Sequence, residues 1–263
     1  MKILVCVKQV PGSSNVQVDP VTGVLKRSGI PSKINPYDLY AIETALSLAE
    51  RFGGTVETIT MGPPQAESMM REAYMMGVDE AYVFTDRTFA GADVLATSYT
   101  LAEGIRSVCP NYDLIVCGKQ TTDGDTAQVG AEVAEYLDLA NVSNVLSVED
   151  FREGKLHLTV SLDNKIVNLS IALPCLISVD GDINTPRLPS YRIRKNLTED
   201  AVRFLTFDDF PDRNPDHYGL SGSATQVERI FPPERVSRKE HVTGDAETQA
   251  QALYDLLRQK KML

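Results

Sequence analysis

The sequence predicts an α/β protein: a doubly wound, mostly parallel sheet with an added antiparallel hairpin region and an extended C-terminal arm. Three observations lead there. The run at residues 3–7 is continuously apolar rather than alternating, as a strand buried on both faces requires, and so belongs in the middle of a parallel sheet. Over the first two thirds of the chain, short β-rich runs alternate with helical patterns, the rhythm of parallel strands joined by right-handed crossovers. From about Val142 strands follow one another without long helices between them, and beyond Asp182 the chain becomes irregular. We therefore expect an α/β domain over residues 1–182 and an irregular arm over residues 183–263.

Each element has its own signal. Asp19-Pro20 and Thr22-Gly23 lie between short alternating segments and suggest a hairpin-like excursion. Asn35-Pro36 then places an N-cap residue before a helix-starting proline. Leu39, Ile42, Leu46 and Ala49 share one face of that helix, and Gly53-Gly54 ends it before a strand at residues 56–61. Pro63-Pro64 opens a second helix with Ala66, Met69, Met70 and Ala73 on one stripe, closed by Gly77 ahead of a strand at 81–84. Met69, Met70, Met75 and Met76 read as soft packing rather than as a cofactor box. A third helix should span roughly residues 92–108, a strand 113–118, and a fourth helix about 127–137. Strands follow at 155–162, 165–171 and 175–179, with Asp163-Asn164 turning a hairpin. A last helical stripe, over residues 245–260, runs through Ala246, Ala250, Leu253 and Leu257.

Composition removes several classes of function. The 263 residues are 43% hydrophobic and 24% charged, enough to bury a sizeable core. A formal charge of −10 has the wrong sign for gripping nucleic acid or an acidic membrane. No apolar stretch approaches the roughly 18 to 20 residues that span a bilayer, and the apolar start reads as a strand rather than a secretory signal. Cys6, Cys109, Cys117 and Cys175 show no metal or disulfide spacing, which favours reduced core thiols in the cytoplasm. His157, His217 and His241 belong to no metal or triad pattern, and no nucleophile elbow or paired carboxylates appear, so we expect neither a catalytic side chain nor a metal. In the arm, Phe204, Phe207, Phe210, Tyr218 and Phe231 need a surface to cover them, either this chain's own body or, as we expect, a partner chain.

The most informative segment is Gly118-Lys119-Gln120-Thr121-Thr122-Asp123-Gly124-Asp125-Thr126-Ala127-Gln128-Val129-Gly130, which leaves a strand and enters a helix. Ligands of open α/β sheets bind at the carboxyl ends of strands, where a helix N-terminus offers free N–H groups to an anion. Gly118, Gly124 and Gly130 permit close backbone approach, and Thr121, Thr122, Thr126 and Gln128 supply side-chain donors for a phosphate. The spacing matches neither a P-loop nor a strict dinucleotide fingerprint, and an ordinary glycine-containing βα loop would look the same. Asp123 and Asp125 suit a phosphate loop only if they point away; we expect them to cap neighbouring amides and leave the Gly124 amide free. The turn around Lys8 to Pro11, residues 61–64 and the helix start at Asn35 to Asp38 would wall the same crevice. A nucleotide-like ligand without acid, base or nucleophile beside it leaves the chemistry to a cofactor.

These residues also form a pattern. KILVCVKQVP at the start, Asp19 to Gly23, Ile34-Asn35-Pro36, Thr60-Met61-Gly62-Pro63, the loop Gly118 to Gly130 and Leu173 to Ser178 together resemble the β-subunit of electron transfer flavoproteins over nearly the whole chain. Residues 163–168 depart from it by lacking the acidic run that usually precedes the last of these marks. The resemblance implies an adenine-nucleotide α-hydrolase-like fold and a heterodimer with an α-subunit that carries the electron-transferring FAD. Ordinary members hold AMP in the β-subunit crevice; in the electron-bifurcating branch that site takes the AMP half of a second FAD. The loop here looks like that branch, since ordinary members tend to have a carboxylate where Gly124 stands. The implied reaction is hydride transfer from NADH to this FAD, with one electron passed to ferredoxin and the other, through the α-subunit, to a partner flavin dehydrogenase of lactate (2-hydroxyacid) or acyl-CoA type, or the reverse. Carried over by position, the flavin contacts would be Cys6, Asn35, Tyr37, Asp38, Met61 and the loop Gly118 to Gly130. The segment containing Arg187, Leu188, Tyr191, Arg192, Arg194 and Lys195 falls where the family places its dehydrogenase-recognition loop; packing on the α-subunit is the other reading. An ordinary AMP-binding β-subunit and an adenine-nucleotide-binding stress or regulatory module remain as alternatives.

Overall fold

A computed structural model describes residues 1–12, 17–18, 25–26, 32–228 and 241–262. The chain divides into two compact units, residues 1–228 and 229–263. The first begins with β1 (Lys2–Cys6), β2 (Gln9–Pro11), β3 (Gln17–Val18), β4 (Leu25–Lys26) and β5 (Ser32–Ile34). Then come α1 (Pro36–Phe52), β6 (Thr55–Met61), α2 (Glu67–Met76), β7 (Glu80–Phe84), α3 (Val94–Val108), β8 (Leu114–Gly118) and α4 (Val129–Tyr136). It closes with β9 (Ala140–Arg152), β10 (Lys155–Leu162), β11 (Lys165–Ala172), β12 (Cys175–Val179), α5 (Tyr191–Asn196) and β13 (Val202–Leu205). The second unit holds α6 (Ala246–Gln259), which buries none of its own side chains.

Nine strands form one sheet in the order β11-β10-β9-β12-β8-β1-β6-β7-β13. Neighbours from β9 to β13 pair in parallel, and β10 and β11 extend the sheet antiparallel. Strand β1 lies central, with Ile3, Leu4 and Val5 wholly buried, as its unbroken apolar run requires. From β1 the chain builds outward through β6 and β7 on one side and through β8 and β12 on the other. The order therefore reverses between β1 and β8, and a crevice is expected at the carboxyl ends of those two strands. Leu162 pairs directly with Lys165, so Asp163-Asn164 is a two-residue turn, with Asp163 at φ 43°. Strands β3 and β4 pair antiparallel; the hairpin-like excursion expected around Asp19, Pro20, Thr22 and Gly23 lies outside the described residues.

Four findings differ from the sequence expectation. Strand β9 is a 13-residue strand whose mixed polar run, ANVSNVLSVEDFR, hides its alternation. Strand β13 is four residues at the sheet edge, too short for a period to show. Helix α4 starts at Val129, because Asp125 (φ 55°) and Ala127 (φ 56°) stand in the left-handed region, which a right-handed helix cannot include. The arm between residues 183 and 228 packs Phe207, Phe210 and Tyr218 on its own body rather than leaving them for a partner. Phe210 and Tyr218 are fully buried, Phe210 stacks on Phe89 at 5.2 Å and meets the edge of Phe84 at 5.3 Å, and Phe207 is half-buried against Tyr218. Phe204 stays exposed on β13, and Phe231 lies outside the described residues. All four cysteines are buried free thiols, and among the described residues no helix is long and apolar enough to cross a membrane.

Candidate functional site

The site is built where α1 meets the ends of β1 and β8. Gly118, the last residue of β8, is pressed so closely on the first turn of α1 that an added Cβ would lie 2.4 Å from Asp38 Oδ1 and 2.6 Å from the Tyr37 carbonyl carbon. Only glycine fits, and the contact places the following loop directly over the α1 N-terminus.

Asn35 ties the two together. Its backbone carbonyl already accepts the Asp38 N–H at 2.9 Å, so its side chain does not cap α1, against expectation. Instead the Asn35 amide group donates to Gln120 O at 2.8 Å and to Asp38 Oδ1 at 3.0 Å, while its oxygen accepts the Thr122 N–H at 3.2 Å. Asp38 takes a further donor from the Lys8 amide at 2.7 Å. Burial pushes the Asp38 carboxyl up to about 7, although the Lys8 amide and Asn35 both favour its charged form.

Beyond Asn35's reach the loop holds itself. The Asp125 N–H donates to Thr121 O at 3.0 Å, and the Gln120 side chain donates to the Asp125 carboxylate. Asp123 caps no helix; both its oxygens take the Lys8 ammonium, at 2.7 and 2.9 Å. Burial opposes ionisation there, but Lys8, with smaller help from the Thr121 side chain and the Gly124 amide, holds the Asp123 carboxyl below its usual range. The Gly124 amide is not wholly free, since it reaches Thr121 Oγ1 in a long contact of 3.4 Å. Thr122, Thr126 and Gln128 are exposed around the turn, and Gly130 seats α4 against Cys117 and Leu176. Lys119 turns away from the loop to Asp180, 2.8 Å distant at the end of β12.

Cys6 stands level with Cys117 on the adjoining strand, both buried. The Cys117 thiol, hydrogen-bonded to Cys6 and desolvated, is pushed well above its usual pKa and is not a ready thiolate. Met61 ends β6, the next strand over, and is half-buried, as is Tyr37. The structure thus gathers Cys6, Asn35, Tyr37, Asp38 and the start of the 118–130 loop, with Met61 to one side. Sequence reading placed Lys8 on the crevice wall without giving it a role; what signalled it is a lone cation directly after the central strand.

The candidate partner segment lies elsewhere. The Arg187 guanidinium is spent on α1, binding Glu43 through Nε at 2.8 Å and Nη2 at 2.9 Å, and Glu50 through Nη1 at 2.7 Å. Leu188 is 88% exposed and Tyr191 69%, on either side of Ser190, whose hydroxyl caps α5. Arg192, Arg194 and Lys195 are exposed, with Lys195 over the Tyr191 ring.

The chain is thus an open α/β sheet with a glycine-bearing loop at its switch point, the place where sheets of this class take their ligands. Comparison with known proteins then assigns the family. Residues 22–203 match the electron transfer flavoprotein domain, and the chain belongs to the electron transfer flavoprotein family. It is 41% identical to an electron transfer flavoprotein subunit beta of Thermoanaerobacterium thermosaccharolyticum over all of both chains. It is 40% identical to Protein FixA of Bradyrhizobium diazoefficiens, over 98% of this chain and 91% of that one. It is 39% identical to the caffeyl-CoA reductase-Etf complex subunit CarD of Acetobacterium woodii, again over all of both.

Proposed function

We propose that this chain is the β-subunit of a heterodimeric electron transfer flavoprotein of the bifurcating or confurcating kind, holding the adenosine and pyrophosphate of an FAD at the carboxyl ends of β1 and β8. The observation that carries this is Gly124. Among the described residues nothing demands glycine there: its φ is not in the left-handed region, and an added Cβ would meet Thr121 Oγ1 alone, at 3.5 Å. A glycine without an internal cause suits a loop that something external must approach closely, as a pyrophosphate would. The donor set agrees, with backbone amides and the hydroxyls of Thr121, Thr122 and Thr126 around the same turn. When bound, FAD would supply hydride acceptance from NADH and one-electron transfer.

The chain's own part is to bind and orient. Asn35 and Asp38 hold the loop, Gly118 lets it sit over α1, and the flanking threonines and Gln128 are placed to donate to phosphate oxygens. Partners of this reading are an α-subunit with its own FAD, ferredoxin, and a flavin dehydrogenase met by Leu188, Tyr191, Arg192, Arg194 and Lys195. The kinship with a subunit of a caffeyl-CoA reductase-Etf complex supports a partner oxidoreductase. Co-production with the α-subunit, anaerobic purification and cofactor counting test the proposal. Two FAD per heterodimer are expected; one FAD plus AMP would make this an ordinary β-subunit, and no flavin would leave the regulatory module. Gly124→Asp should selectively empty the β-site flavin, and an unchanged FAD count would reject this account of the loop.

A further inference from the structure

We propose that Lys8 is an exchangeable counter-charge, its ammonium shared between Asp123 and the phosphate oxygens of an adenine nucleotide, so that Asp123 is a built-in competitor setting how tightly the anion is held. The inference rests on the nucleotide reading above and adds to it a specificity-determining residue. Lys8 is rooted at one end and half open to water at the other. Its backbone N–H is fixed on the buried Asp38 carboxylate at 2.7 Å, which plants it at the end of β1. Its side chain reaches from the end of β1 to both oxygens of Asp123 in the loop after β8. The pair is open to water, the two side chains being 47% and 26% exposed, so its partners can exchange at small cost.

Charge explains why exchange is needed. A phosphate entering this loop meets the carboxylates of Asp123 and Asp125, and the loop's own cation, Lys119, is committed to Asp180. Lys8 is the cation already standing against the loop. Trading a carboxylate for phosphate oxygens preserves its charge-assisted hydrogen bonds and lets the Asp123 side chain turn to solvent. The 3.4 Å contact from the Gly124 amide to Thr121 Oγ1 is long enough to yield in the same step.

The mechanism predicts opposite signs for its two members. Calorimetric titration of ADP and of adenosine into the full chain, co-produced with the α-subunit and freed of endogenous nucleotide, reads them. Asp123→Asn should tighten ADP about two- to five-fold by releasing the competitor. Lys8→Met should weaken ADP by about ten-fold or more, and Lys8→Arg should restore most of it. Adenosine, lacking phosphate, should be indifferent to all three. If Asp123→Asn weakens ADP or leaves it unchanged, the ion pair only fastens the loop and the proposal is overturned. Wild-type binding of neither titrant would remove the nucleotide reading and this inference with it, whereas ADP binding indifferent to Lys8 removes the exchange alone.

Discussion

Gly118 and Asp38 are in such close contact that the last residue of β8 has no room for a side chain: a Cβ would stand 2.4 Å from the Asp38 carboxylate. That carboxylate is itself buried and held by Lys8 and Asn35, so it cannot retreat cheaply.

Gly118→Ala should therefore displace the α1 N-terminus or the loop, at a cost of about 1 to 3 kcal/mol, and weaken the proposed nucleotide binding in parallel. Urea unfolding alongside ADP titration checks both. A variant with wild-type stability and affinity would show that the contact is soft.

Asp38 predicts a pH dependence with a definite sign. In the unfolded chain its carboxyl titrates near the ordinary 3.8, and in the folded chain near about 7. Between these values the folded chain keeps a proton that the unfolded chain has lost. Its contribution to stability is thus fullest in acid and is lost as pH rises through about 7. Wild type should lose ground to Asp38→Asn by up to about 1.4 kcal/mol per pH unit across that window. Denaturant unfolding of both proteins from about pH 4 to 8 measures the difference, and a flat difference would refute the assignment.

Arg187 predicts a tether. Burial works against the Glu43 charge, yet the Arg187 guanidinium holds its carboxyl below the usual range, and Glu50 adds a second, more exposed anchor. Arg187→Ala should cost about 1 to 2 kcal/mol, discounted for partial exposure, and should speed tryptic cleavage at Arg192, Arg194 and Lys195. Unchanged cleavage would mean that α5 is held by other contacts, such as the Ser190 N–H on Met75 O at 2.7 Å.

Much of the fold was legible because its signals are local. The continuous apolar run at β1, the helical stripe from Leu39 to Ala49, and the turn at Asp163-Asn164 each declare themselves within a few residues. Strand β13 does not, because four residues carry no period; Val202 to Leu205 becomes a strand only through the β7 edge that it joins. Asn35 shows the same limit at the site. Its place before Pro36 reads as a cap, but its side chain goes to Gln120 and Thr122, 85 and 87 positions away.

The sequence by itself determined the central parallel strand, the strand-to-helix order, the buried thiols, the glycine-bearing loop and, through those motifs together, the family. Tertiary structure alone decided which charges face one another. It set Lys8 on Asp123, Lys119 on Asp180 and Arg187 on Glu43, and it folded Phe210 and Tyr218 back onto the body. The reason is distance: patterns of 2 and 3.6 residues are written along the chain, whereas an ion pair depends on angstroms between groups that only the completed sheet brings together.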